Sequence, residues 1–123
     1  MNKHSFKMIT EYDAQSDTLY LRVVDPYKYK ESIELTDNII LDFDSSNVPV
    51  ALEIFDASKF FHVKPYALRN FGLDMNIKIQ EDTINLNAKF ILITHQKKEE
   101  VPVNVGTVND IELPTMQTNY AIA

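Results

Sequence analysis

The residues of this chain whose types and spacing invite a chemical reading lie between Asp42 and Glu53. Asp42, Asp44, Ser46 and Glu53 fall at the first, third, fifth and twelfth positions of an EF-hand calcium loop. Hard oxygen donors at that spacing would chelate a divalent cation. Three features oppose it. The sixth position is Asn47, where the motif uses glycine for its sharp turn. Both flanks alternate apolar and polar residues with period two, as strands do and helices do not. Pro49, which cannot donate to a ladder, falls where the loop makes its short central pairing. The favoured reading is a β-hairpin with a polar tip and solvated acids. Asp42, Asp44 and Glu53 therefore stand as the least favoured reading, a metal or hydrolytic site. No catalytic residue and no cofactor is assigned.

Other chemical groupings are weaker. Asp13, Asp17, Asp42, Asp44, Glu53 and Asp56 would converge if their strands were neighbours, and paired acids at the right separation do general acid–base work. Yet Asp13 and Asp17 flank a turn, where aspartate bonds its own backbone. The acids of the hairpin alternate with core residues, as on a solvated sheet face. His4, His62 and His95 have no second histidine or acid at metal-like spacing. No serine sits in a nucleophile elbow, and two glycines cannot build a phosphate loop. Lys59–Asn70 interleaves Lys59, His62, Lys64 and Arg69 with Phe60, Phe61 and Tyr66, and no acid occurs between Ala57 and Leu73. Its favoured reading is an amphipathic helix pair with aromatics inward and lysines snorkelling outward. A second reading docks this basic patch on the acidic face of an identical subunit.

The elements that must position these residues are mostly strands. Phe6, Met8, Thr10 and Tyr12 alternate with polar neighbours, and after the turn AQSD come Leu19, Leu21 and Val23. Ser32–Leu35 reads as a short third strand. Ile39, Leu41 and Phe43 line a fourth, and Val48, Val50, Leu52 and Ile54 a fifth. Short connections suggest a meander. Residues 57–71 break the alternation: Ser58 suits the cap of a helix through Phe61, Pro65 the start of a second and Gly72 its stop. Phe61, Leu68 and Phe71, with Tyr66 as a further candidate, would face the sheet. Strands resume at Met75–Ile79, Ile84–Leu92, Val101–Val105 and Asn119–Ile122. With so few glycines, left-handed turn positions must fall to Asn and Asp. The fold class expected is α+β, mostly antiparallel β-sheet in meander hairpins, with one short helical segment near the middle.

Bulk properties narrow the function classes. A chain of 123 residues is one domain, 1–123, long enough to bury a core without disulfides or metals. The absence of cysteine removes thiolate chemistry and fits a reducing cytoplasm, the expected location. The net charge of −6 is concentrated in residues 1–61, with eleven acids against six bases, and argues against nucleic-acid binding. No apolar run exceeds Phe90–Ile93, far below the roughly 20 residues of a membrane helix, so no membrane contact is expected.

The pattern YDAQSDTLYLRV followed by NIILDFDSSNVPVALEIFDAS resembles the DUF2283 family of small bacterial and archaeal proteins. The resemblance covers about residues 6–62 and rests on Tyr12-Asp13, Asp17, Leu19-Tyr20, Leu41-Asp42, Glu53-Ile54 and Asp56-Ala57-Ser58 in order. The sequence departs from the pattern at Asn47, where the family usually has glycine, and at Pro49-Val50-Ala51. Residues 63–123 form a β-rich extension outside the match, expected to pack on the first part. The resemblance implies a small β-rich domain of unassigned activity, with some members resembling partners of small toxin-like proteins.

The function expected is a non-catalytic protein-interaction module that forms a homodimer or larger assembly. The apolar second face of Ile91 and Ile93, with Val101 and Val103 nearby, is one expected contact, and the outward aromatics Tyr20 and Phe55 are another. The alternative partner is a small basic protein, neutralised as an antitoxin neutralises a toxin.

Overall fold

A computed structural model describes residues 3–122. Nine strands run in chain order: β1 (Lys3–Asp13), β2 (Thr18–Val23), β3 (Tyr29–Thr36), β4 (Ile39–Asp44), β5 (Pro49–Ile54), β6 (Gly72–Ile79), β7 (Thr83–Thr94), β8 (Lys97–Val108) and β9 (Met116–Ile122). Helix α1 (Ala57–Phe61) and a 3-10 turn at Pro65–Leu68 lie between β5 and β6. The strands form one sheet in the order β3-β4-β5-β2-β1-β9-β6-β7-β8. Every neighbouring pair is antiparallel except β1 and β9. The sheet curls until its edges, β3 and β8, approach within 8 Å at their Cα atoms. The result is a half-barrel whose concave face is the core.

The protein is therefore mostly β, with one short helix, and its sheet is not a meander. β2 and β3 are consecutive in sequence, but β2 pairs with β5 and residues 24–28 carry the chain out to an edge. Side-chain content explains the choice. Leu19 and Leu21 of β2 are fully buried and demand an interior position, whereas only Leu35 of β3 is buried. A strand that poor in apolar residues gains little from the centre and is well placed at an edge.

The alternation continues across the sheet. Phe6 and Met8, Leu73 through Ile79, Ile84 through Leu92, and Tyr120 all contribute to one cluster on the concave side. Strands are longer than apolar alternation indicates: the third spans Tyr29–Thr36, because its exposed residues pair through backbone regardless of side chain. Gly72 does not stop a helix. It opens β6 and lies opposite Ile91, and a Cβ there would sit 3.3 Å from the Ile91 Cβ. Phe61, Leu68 and Phe71 are buried as expected, but Tyr66 is exposed. Left-handed backbone occurs at Asp17, Asn47 and Asp56, and also at His62, His95, Gln96 and Glu112, but at neither glycine. No helix among the described residues is long and apolar enough to cross a membrane.

Two polar side chains of the C-terminal half make buried hydrogen bonds, and one of them reaches the N-terminal half. The Tyr120 hydroxyl of β9 donates to the Pro49 carbonyl at the start of β5. Burial pushes that phenol well above its ordinary range. Asn109 donates to the carbonyls of Gln80 and Leu113 and accepts from the Leu113 amide, organising the β8–β9 connection. Tyr120→Phe removes the one and leaves a buried carbonyl unpaired. It should lower unfolding free energy by about 1–3 kcal/mol in urea titration, whereas Tyr20→Phe, at an exposed position, should leave the midpoint unchanged.

Candidate functional site

The turn between β1 and β2 ends on Asp17, in the left-handed region at φ 54°. Aspartate tolerates that conformation, and it turns the carboxylate toward the start of α1. The Tyr12 hydroxyl donates to Asp17 Oδ1 at 2.6 Å, and the Ser58 amide donates to the same oxygen at 3.0 Å. The Ser58 hydroxyl donates to Oδ2 at 2.8 Å, and the Ala57 amide donates to the Asp17 carbonyl at 2.9 Å. The Arg69 guanidinium lies 5.8 Å from the Tyr12 ring centre, within cation–π reach.

Partial burial raises the Asp17 carboxyl, but the hydrogen bonds from Tyr12 and Ser58 outweigh it and hold the group below the usual carboxylate range. Burial, and then the same bond to Asp17, push the Tyr12 phenol up to about 12. Ser58 is therefore not the cap of α1. The orphan amides at the helix start are met from across the fold by Asp17, and Asp56 precedes the helix without a side-chain cap. The trio has hydroxyls and a carboxylate, yet its chemistry is structural. A carboxylate of lowered basicity that already accepts three bonds is a poor base for activating Ser58.

The second cluster lies on the convex face. Asp42 pairs with Ala51, and Ile40 with Glu53, so both acids project outward as near neighbours. The Ser32 hydroxyl donates to Asp42 Oδ1 at 2.5 Å. Partial burial, the charge of Asp42 and a hydrogen bond with it raise the Glu53 carboxyl. Burial and then Asp42 likewise raise the Tyr27 phenol, with Arg22 opposing. Asp44 stands apart from this pair. Its Oδ1 accepts from the amides of Ser46 at 2.8 Å and Val48 at 2.9 Å, making the β4–β5 turn. Asn47 takes the left-handed conformation, φ 65°. Among the described residues no three carboxylates or imidazoles converge to hold a metal.

The third grouping brings together residues that no motif connected. Phe61 packs against Phe90 at 4.8 Å between ring centres, and Phe71 against Phe90 at 5.7 Å, so the helical segment plugs one end of the concave face. Between this plug and the tip of the β7–β8 hairpin opens a cleft of about 510 Å³. Lys59, His62, Lys64 and Tyr66 line it from the helical side, and His95 and Glu99 from the hairpin.

The residues expected at an interface do not form one patch. Tyr20 projects outward from β2, and Phe55, just after β5, is half-buried. Ile91 lies half-buried over Gly72, and Ile93 is half-exposed on the same convex side. Val101 and Val103 point the other way, opposite Phe90 and Ala88, and Val103 is part of the core. Period-two alternation already separates these two pairs.

The sequence model of the family described as "Protein of unknown function (DUF2283)" matches residues 9–58. An uncharacterised protein of Methanocaldococcus jannaschii is 35% identical over 107 residues, covering 83% of this chain and 90% of the relative. A Methanosarcina mazei protein bearing the name "Putative hypoxanthine phosphoribosyltransferase" is 30% identical over 115 residues, covering 93% and 92%. No solved structure matches. The fold is that of a small curled β-sheet protein in which Tyr12, Asp17 and Ser58 are joined by hydrogen bonds into a bracket. The chain belongs to the DUF2283 family, and the matched segment runs from β1 to Ser58, the two sides of the bracket.

Two substitutions should titrate in opposite senses. Asp17 is held low in the fold, so its stabilisation is complete above the ordinary aspartate range and is lost as pH falls through the depressed folded value. Asp17→Asn should cost about 2 kcal/mol at neutral pH, with the gap to wild type closing between about pH 5 and pH 2. Glu53 is held high, so the fold is favoured below its ordinary range and loses that contribution as pH rises through the folded value. Glu53→Gln should raise the melting midpoint at neutral pH, with the advantage gone below about pH 4. Thermal melts across pH check both.

Proposed function

We propose that this chain is a non-catalytic interaction module that self-associates through the convex face of β1, β2, β5 and β4. The observation that carries the reading is an unbalanced charge arrangement at the middle of that face. One row across the strands reads Glu11, Tyr20, Glu53 and Ile40, and the next reads Ile9, Arg22, Ala51 and Asp42. Asp42 and Glu53 crowd each other, while Arg22 lies within 4.0 Å of no carboxylate: the ion pairs among the described residues are Lys30–Glu31 and Lys89–Glu100. Around them lie Ile9 and Tyr20, each 37% exposed.

A twofold contact is self-complementary. It would set Arg22 of each copy against the acids of the other and cover Ile9 and Tyr20 at the centre. Bringing a cation to Asp42 and Glu53 offsets their mutual repulsion, which adds to burial in raising Glu53, and lining up opposite charges fixes the register of the contact.

The alternative occupant of the same acids is a small basic protein, as for an antitoxin-like subunit. Light scattering on the purified chain separates the two. Wild type should run as a dimer, Tyr20→Lys as a folded monomer, and Ile93→Lys, on a separate part of the convex side, as a dimer. A wild type that stays monomeric at high micromolar concentration, or a Tyr20→Lys variant that stays dimeric, overturns the proposal. A monomer whose mass rises only with an added small basic protein moves the face to the antitoxin-like reading.

A further inference from the structure

We infer that the cleft between the helical plug and the tip of the β7–β8 hairpin binds a small phosphate monoester carried on a nucleoside-sized body. The site is separate from the convex face and does not depend on self-association. Its volume of about 510 Å³ falls within the range of small-molecule sites.

Charge selects the ligand. Lys59 and Lys64 line one wall, and neither lies within 4.0 Å of a carboxylate. In a chain of net charge −6, two such lysines facing one cleft are a local reversal of sign. Lys59 also lies in the field of Asp17, whose carboxyl it helps to lower after the hydrogen bonds from Tyr12 and Ser58. His62 and His95 add ring donors from the two walls. An extended nucleic acid would also meet the acidic surface beyond the cleft, whereas a single monoester meets only its lining.

Backbone geometry holds both histidines in place. His62 ends α1 in the left-handed region at φ 56°. His95 and Gln96 form the two-residue β7–β8 turn with φ 49° and φ 65°, a conformation that such turns usually give to Asn-Gly. The helical wall is fixed from behind by the Phe61–Phe90 packing and by the Asp17–Ser58 bonds.

Glu99 orients the ligand. A carboxylate repels phosphate but accepts from hydroxyl and amino groups. The phosphate is thereby assigned to the Lys59–Lys64 wall and the hydroxylated body to Glu99 and Thr94. Tyr66, 52% exposed, offers a ring face for stacking.

The test is an amide-resolved NMR titration of the full chain with AMP, adenosine and inorganic phosphate. AMP should give saturable shifts confined to residues 58–66 and 94–99 in the low millimolar range or below. Phosphate should shift the 59–64 part of that set more weakly, and adenosine should shift little. Lys64→Gln and Lys59→Gln should each weaken AMP binding about tenfold, with the remaining spectrum unchanged. Tyr20→Lys should bind AMP as wild type does. Absence of saturable shifts, equal binding of adenosine and AMP, shifts elsewhere, or a folded Lys64→Gln variant with wild-type affinity would overturn the inference.

Discussion

The pairing of β9 between β1 and β6 is the contact on which the rest of the molecule depends. Without it the sheet is two antiparallel blocks, β3-β4-β5-β2-β1 and β6-β7-β8, each ending in a long unpaired edge. Such edges are costly and invite pairing with other chains. β9 meets β1 in parallel and β6 antiparallel, and satisfies both. Its inward residues join the two cores: Thr118 is fully buried with its hydroxyl donating to the Ile77 carbonyl, and Tyr120 stacks on Phe6 at 5.5 Å. The bond from Tyr120 to Pro49 then reaches across the concave space to β5, so the curl of the sheet and the inward placement of β9 support one another.

Which residues face inward is legible in the sequence, because a period of two is a local property. Leu19, Leu21, Ile39, Leu41, Ile84 and Leu86 needed no partner to be recognised. Which strand lies beside which is a long-range property, and alternation is silent about it. Asn119–Ile122 could be recognised as a strand, but nothing in those residues distinguishes a terminal edge from the centre of the sheet. The preference for sequential neighbours misleads at β2, where a poorly apolar β3 cedes the interior place to β5. Gly72 misleads for a related reason. A glycine after an apparent helix fits a stop signal, yet here it clears space for the side chain of Ile91 one strand away.

The site divides along the same line. Tyr12, Asp17 and Ser58 carry the family resemblance by order and spacing, but Asp17 and Ser58 stand 41 positions apart and their contact exists only in the fold. Each has an adequate local explanation, a turn residue and a helix cap; Asp17 does end the turn, but Ser58 caps nothing and bonds Asp17 instead. His62 and His95 belong to no motif because they come from separate elements that meet only when α1 plugs the half-barrel. The acids of the EF-hand-like run separate for the opposite reason. Local backbone bonds claim Asp44, while the pleat leaves Asp42 beside Glu53.

The bracket and the cleft share a residue, and that sharing constrains what the cleft can do. Ser58 lines the cleft, but both its amide and its hydroxyl proton are directed at the Asp17 carboxylate. A serine so engaged offers an oxygen but no donor to a ligand, and it faces a carboxylate too weakly basic to make a nucleophile of it. Its contribution is to hold the backbone that presents Lys59 and His62. The family signature and the cleft adjoin at Ser58, where the matched segment ends and most of the cleft residues begin.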